Sequence, residues 1–202
     1  MKERIASYFD TLDRAIRGVE CTGRDGTPVA LDQAFRAVRD MAHAAHADGN
    51  KIMFIGNGGS AGISSHLAID FSKNGGLRAV AFNDSAALSC LGNDLGYESV
   101  FAQQIEWHGR PGDLLVAISS SGQSPNILNG VRAARDKHCK VVSFSGFACD
   151  NPLRRAGEVN FYVGHRVYGF VELAHLALIH AILDLDTGWT PAGVCRSRQG
   201  AT

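Results

Sequence analysis

Five short apolar runs between residues 52 and 163 constrain what this chain can fold into. They are Ile52–Ile55, Ala79–Phe82, Leu114–Ile118, Val141–Phe144 and Val159–Val163. Helical periodicity fills the stretches at about 60–73, 98–107, 125–136 and 169–185. A strand that reads as an unbroken apolar run is one buried on both faces. Strands alternating with helices join in parallel through crossover helices, which predicts a doubly wound α/β sheet. Such a sheet binds ligands beyond the C-terminal ends of its strands.

The first fifty residues read differently. Ile5, Tyr8, Phe9, Leu12 and Ile16 form a helical stripe over 4–19, and Phe35, Val38, Met41 and Ala45 another over 31–47. Between them, Thr22-Gly23-Arg24-Asp25-Gly26-Thr27-Pro28 reads as a loop. The expectation is a helical extension over 1–50, a ligand-binding domain over 51–186, and a flexible Gly-, Pro- and Ser-rich tail over 187–202. The formal net charge is +0 and no Lys/Arg block stands out, which argues against a nucleic-acid partner. No apolar run approaches the roughly 20 residues of a membrane span, and no N-terminal signal pattern is visible. The five cysteines are odd in number and lack a CxxC spacing, which fits a reducing, cytoplasmic compartment. Cys90 and Cys139 lie in apolar runs and are expected to be buried.

Two loops carry chemistry. The first strand ends in Gly56-Asn57-Gly58-Gly59-Ser60, a turn that lets a ligand approach the backbone and aims free N–H groups at an anion. His66 and Asp70 follow on the next helix, one turn apart on the same side. Imidazole and carboxylate at that spacing can ligate a divalent metal or act as an acid/base pair. The strand Leu114–Ile118 runs into Ser119-Ser120-Ser121-Gly122-Gln123-Ser124-Pro125. Ser124 fits the N-cap and Pro125 the first helical position. Hydroxyls, amides and a positive helix end then converge, which suits a phosphate monoester without requiring a metal.

The last helix, from Tyr168 onward, is mostly apolar and is interrupted by Glu172, His175 and His180. His175 reads as a satisfied core histidine. Glu172 and His180 are eight residues apart, or about 12 Å along a helix, too far for one metal on a straight helix. Either Glu172 lies in a non-helical lead-in, or neighbouring chains supply part of the site.

Gly56–Ser60, Leu91-Gly92-Asn93-Asp94-Leu95-Gly96-Tyr97, Ile118–Ser124 and the closing Glu172…His180 segment together resemble the sugar isomerase (SIS) family, in its phosphoheptose isomerase branch. The resemblance implies a Rossmann-like (flavodoxin-like) five-stranded parallel sheet with helices on both faces. It implies a homotetramer with shared active sites. It also implies conversion of sedoheptulose 7-phosphate to D-glycero-D-manno-heptose 7-phosphate through an enediol, for the heptose of lipopolysaccharide or capsule. Catalysis would fall to Asp70 and His180. Substrate binding would fall to Asn57, Gly58, Gly59, Ser60, Asn93, Asp94, Ser119, Ser120, Ser121, Ser124 and Glu172. One Zn2+ per subunit would sit on His66, Asp70, Glu172 and His180. Asp70 stands where the family usually has glutamate and Glu172 where it usually has glutamine; both positions stay polar and ionisable. The rival readings are isomerisation of another phosphosugar, and a non-catalytic SIS tetramer that binds the replication initiator. The second lacks the acid/base carboxylate and final histidine that this chain keeps.

Overall fold

The computed structural model describes residues 1–191. Its centre is a parallel sheet of β3 (Ile52–Gly56), β4 (Ala79–Ala81), β5 (Leu114–Ser119), β6 (Lys140–Gly146) and β7 (Val159–Val163). These strands lie in the order β7-β6-β5-β3-β4. The chain starts in β3, winds one way to β4 and the other way to β5, so the sheet reverses direction between β3 and β5.

The sheet has seven strands, not five. Residues 20–29, expected to be a loop, form a hairpin of β1 (Glu20–Gly23) and β2 (Pro28–Val29). β1 pairs antiparallel with β7 and covers that edge. The hairpin is hidden in the sequence because its strands are only four and two residues long, too short to show an alternating pattern around the turn. There the Asp25 carboxylate accepts from Thr27 N (2.9 Å), and Gly23 N donates to Thr27 O (2.8 Å). Pro28 is tolerated because β2 is an edge strand.

Alternate strand residues face opposite cores. Phe54, Val116, Phe144 and Phe161 pack with α2 (Leu31–Ala47), α3 (Gly59–Lys73) and α7 (Tyr168–Asp186). Met53, Ile55, Leu115, Ala117 and Val141 pack with α4 (Ser85–Leu95), α5 (Val100–His108) and α6 (Pro125–Asp136). The rings of Phe144 and Phe161 stack 4.7 Å apart. Each fully buried side chain of this size contributes roughly 1.5–3 kcal/mol.

α2 buries Ala34, Val38, Ala42 and Ala45, with Phe35 and Met41 packed beside them. It therefore completes one sheet face. α1 (Lys2–Arg17) buries none of its residues and leans on α7, leaving Ile5, Tyr8 and Phe9 exposed. α4 carries no periodic signal, because only Leu91 of its residues is buried; the Asp84 side chain caps it through Ala87 N (2.8 Å). Cys139 is buried as expected, but Cys90 is exposed on α4, where its thiol faces Asp94 Oδ2 at 3.5 Å.

One expectation needs correction. α7 is long and apolar enough to cross a membrane by length and composition, with a mean hydropathy of 1.4. Phe170, Val171, Ala174, Leu178, Ile179, Ile182 and Leu183 all pack into the core, so one face of the helix is buried inside the protein while Leu173 and Leu185 stay exposed. The tail expected from residue 187 lies outside the described residues beyond Pro191.

Candidate active site

The loops leaving β3 and β5 meet where the sheet reverses, the position at which doubly wound sheets bind ligands. They enclose a cavity of about 230 Å3 lined by Asn57, Gly58, Gly59, Ser60, Ser119, Ser120, Ser121, Ser124, Tyr168 and Glu172. Nine of the residues expected to bind substrate therefore share one pocket. Asn93 and Asp94 do not line it. They lie exposed at the end of α4, where Asn93 Nδ2 donates to Asp94 Oδ1 (2.8 Å).

Each wall has a local cause. Gly58 holds φ +54° and turns the chain into α3. A Cβ on Gly59 would collide with the Glu172 carboxylate, so the missing side chain lets that carboxylate lie against the turn. On the other side, α6 begins at Pro125 with Ser124 as its N-cap, but the Ser124 side chain caps no helix amide. Its Oγ instead lies 3.4 Å from Ser119 Oγ. Ser119 Oγ accepts from Gly122 N (3.2 Å), and Ser121 Oγ from Gln123 N (3.3 Å). Ser120 is 5% exposed, and its hydroxyl has no hydrogen-bond partner among the described residues. A buried, unsatisfied hydroxyl costs about 1–3 kcal/mol, a cost that an anion in the pocket removes.

Sequence reasoning missed the residue that locks the two loops together. Asn126 Oδ1 accepts from Asn57 Nδ2 and its Nδ2 donates to Asn57 Oδ1, both at 2.9 Å. The Tyr97 hydroxyl donates to the same Asn57 oxygen at 3.1 Å. Asn126 is 2% exposed, and nothing beside Pro125 signals its partner 69 residues away.

A second cluster lies farther along the same helices. His66 and Asp70 of α3 meet His180 of α7. His66 Nε2 is 3.1 Å from His180 Nε2 and 3.3 Å from Asp70 Oδ2, and His180 Nδ1 is 3.6 Å from the same carboxylate oxygen. One ligand atom from each residue lies within 4.8 Å of the others. Bonds of about 2.0–2.2 Å in a tetrahedron place ligand atoms roughly 3.3–3.6 Å apart, so two imidazoles and one carboxylate form a candidate divalent-metal set that small side-chain movements would have to close. Glu172 does not join this cluster. It is the fifth residue of a continuous α7, so the alternative of a non-helical lead-in falls away.

His175, on the same helix, is fully buried; its Nε2 lies 3.0 Å from Ser145 O and its Nδ1 has no partner. Burial pushes its pKa down to about 4, partly offset by the bond to Ser145, so the ring is neutral at pH 7. Ser145 pairs with Ser119 across the sheet, so this ring steadies the strand beside the serine loop.

Residues 28–146 match the SIS domain family. The chain belongs to the SIS domain family. Within it, the relatives are phosphoheptose isomerases. The enzyme of that name from Neisseria meningitidis is 32% identical over 192 residues, covering 91% of this chain and 93% of that protein. The one from Solidesulfovibrio magneticus is 47% identical over 116 residues, 54% of this chain and 56% of that protein. The solved phosphoheptose isomerase of Neisseria gonorrhoeae superimposes with a TM-score of 0.78 at 32% identity, covering 92% of this chain and 98% of that one. The one from Francisella tularensis gives 0.79 at 25% identity, covering 92% and 97%. This SIS chain therefore carries the family's fold over nearly its whole described length, with the serine pocket at the sheet reversal.

Proposed function

We propose that this chain is a sugar-phosphate aldose–ketose isomerase that interconverts sedoheptulose 7-phosphate and D-glycero-D-manno-heptose 7-phosphate, as a cytoplasmic homotetramer with shared active sites. The observation that carries the reading is the pairing of a carboxylate and an imidazole, Asp70 and His180, on the helices that also wall a serine-rich anion pocket.

The phosphate is held by neutral groups. The Ser119, Ser120, Ser121 and Ser124 hydroxyls, the loop amides and the positive end of α6 together favour a dianion. The Gly58–Ser60 turn and Asn57 form the opposite wall, and Asn93 and Asp94 would approach only if α4 shifts toward the pocket on binding. Isomerisation moves one proton between neighbouring carbons and another between their oxygens, through an enediol. Asp70 and His180 serve as the pair: one takes the C–H proton, and the other carries a proton between O1 and O2. A carboxylate and a histidine divide the same labour in triosephosphate isomerase. His66, Asp70 and His180 would hold one Zn2+ per subunit, which when bound supplies a Lewis acid for the carbonyl oxygen; a group on the metal is a poor base, so Asp70 or His180 would not be ligand and proton carrier in the same step.

Sharing between subunits is supported by the helix geometry. The triad does not line the serine pocket of its own chain, and Glu172 and His180 are about 12 Å apart along α7. Exposed apolar residues, Phe9 (61%), Ile69 (63%) and Leu173 (42%), flank both clusters on α1, α3 and α7. A neighbour's triad brought to this pocket, beside Glu172, completes the site. The free cysteines among the described residues agree with a reducing compartment.

The test is a coupled assay over five- to seven-carbon ketose phosphates, with and without zinc. The seven-carbon substrate should turn over best, and His180→Ala should lower turnover about 10²–10⁴-fold while still binding the sugar phosphate. Mixing His180→Ala subunits with Ser120→Ala/Ser124→Ala subunits should restore part of the activity. Absence of any ketose phosphate isomerisation would sink the reading; hybrids no more active than their parents would sink the sharing.

A further inference from the structure

The roomiest cavity described is not the serine pocket. A groove of about 510 Å3 runs along the outer edge of β4, which pairs only with β3. Nothing in the proposed isomerisation uses it. Its floor is formed where the chain enters β3 and β5, at their N-terminal ends. The serine pocket lies at their C-terminal ends, and the six residues of β5 span about 20 Å. A ligand here would not touch the substrate.

The wall is unusual in composition. Trp107 is 62% exposed at the end of α5, with His108 and Phe82 beside it; the Phe82 and His108 rings lie 6.0 Å apart. An indole left in solvent over a cavity offers a planar ring a face to stack on. The cations opposite differ in availability. Lys51 is neutralised by buried Asp113 at 2.6 Å. The Arg78 guanidinium donates to the Gly49 carbonyl and its backbone N–H to His46 Nδ1, and neither Arg78 nor Arg110 has a carboxylate partner among the described residues. The remaining acid in the groove, Asp84, is committed to capping α4 through Ala87 N. Gln104 is 6% exposed; its Nε2 donates to Val100 O (2.7 Å), and its carbonyl oxygen makes no hydrogen bond among the described residues. An unpaired strand edge adds a row of backbone donors and acceptors.

An aromatic platform, two guanidiniums without a carboxylate partner among the described residues, an amide and an open strand edge call for a ligand with a flat heteroaromatic ring, hydrogen-bonding edges and an anionic tail. We propose that this groove is a nucleotide-binding site distinct from the isomerase centre: the base lies on Trp107 with its edge toward β4 and Gln104, and the phosphates lie between Arg78 and Arg110. The volume falls within the range of small-molecule sites, and Arg suits phosphate through its paired N–H donors.

The experiment titrates the full-length protein with ADP and with CDP, against inorganic phosphate and sedoheptulose 7-phosphate as controls. Binding is read by tryptophan emission and by equilibrium dialysis. Saturable quenching by a nucleotide is expected. Trp107→Phe should remove the quench while Trp189 still emits. Arg78→Gln/Arg110→Gln should raise the dissociation constant about tenfold or more, with isomerase activity retained as the check on folding. Saturating sugar phosphate should leave nucleotide affinity unchanged. The proposal is overturned if no nucleotide saturates, if the double variant binds as the parent does, if sugar phosphate displaces the nucleotide, or if inorganic phosphate binds equally well. It is also overturned if iodide cannot reach Trp107 in the free protein, which would mean that another copy of the chain covers the groove.

Discussion

Replacing Gly122 with alanine should damage the serine loop in a measurable way. Gly122 holds φ +64°, a conformation that costs an L-residue roughly 1–2 kcal/mol. Its new Cβ would collide with Asn151 Oδ1 and Cγ and lie 2.9 Å from the Asn151 Cβ. Asn151 cannot simply turn away. It is 2% exposed, its Nδ2 donates to Gly146 O (3.1 Å) and Ala148 O (2.7 Å), and its Oδ1 accepts from Arg154 N (3.0 Å). Giving up one such buried bond costs about 1–3 kcal/mol. The sum predicts a loss of about 2–5 kcal/mol in urea unfolding.

The alternative to moving Asn151 is to move the loop, and that has a separate signature. Gly122 N donates to Ser119 O (3.0 Å), and Leu153 N to Gly122 O (3.1 Å), so a shift at Gly122 drags the serines. KM for the sugar phosphate should rise about tenfold or more, with kcat less affected, because Asp70 and His180 make no contact with this loop. Asn151→Gly removes the colliding atoms. In that background Gly122→Ala should cost only the backbone part, about 1–2 kcal/mol, giving a coupling of about 1 kcal/mol or more in a double-mutant cycle. Unchanged urea midpoint and KM in the single variant, or the same cost in both backgrounds, would refute the reasoning.

Three further outcomes are expected. His175 has a folded pKa below its usual value, so the unfolded chain takes the proton first as pH falls. Its stabilisation is whole above about pH 6.5 and shrinks as pH drops toward about 4, by about 3 kcal/mol in all. His175→Leu should flatten that limb in urea unfolding between pH 7 and 4.5, and an equally steep limb would count against it. Asp113→Ala should cost about 3–5 kcal/mol by the same method, since it strands the Lys51 ammonium and the Lys51 and Arg110 amides that the carboxylate now accepts; a loss under about 1 kcal/mol would contradict the buried pairing. His66→Ala should lower the zinc content of the purified protein by mass spectrometry, and a chelator should lower the Tm of wild type more than that of the variant. Equal zinc in both proteins would remove the metal from the triad.

Where sequence expectation and structure agree, the residues show why. The parallel strands were legible because burial on both faces leaves no polar letter inside Ile52–Ile55 or Leu114–Ile118. α6 was legible because Ser124 and Pro125 mark its start. The β1–β2 hairpin was not, since its strands are four and two residues long and earn their place by covering the β7 edge, a tertiary need with no local signature. Cys90 misled because α4 presents Cys90 to solvent and buries Leu91. The Asn57–Asn126 lock was invisible for a different reason: each asparagine alone is ordinary turn material, and only the meeting of two βα loops pairs them.

The placement of Glu172 and His180 on one unbroken helix has a consequence for the whole assembly. The N-terminal part of α7 walls the serine pocket with Tyr168 and Glu172, while His180, two turns beyond Glu172, belongs to the cluster with His66 and Asp70. A rigid helix fixes the rise between them at about 12 Å, so the two clusters stand apart along it. α3 repeats the arrangement, with Gly59 and Ser60 at one cluster and His66 and Asp70 at the other. One pair of helices therefore serves two different centres. If a substrate bound at the serine loop is to meet an acid/base pair beside it, that pair arrives on the α3 and α7 of a neighbour. Each subunit then gives a neighbour what it takes from another, and loss of the apolar contacts at Phe9, Ile69 and Leu173 should abolish turnover before it unfolds the chain.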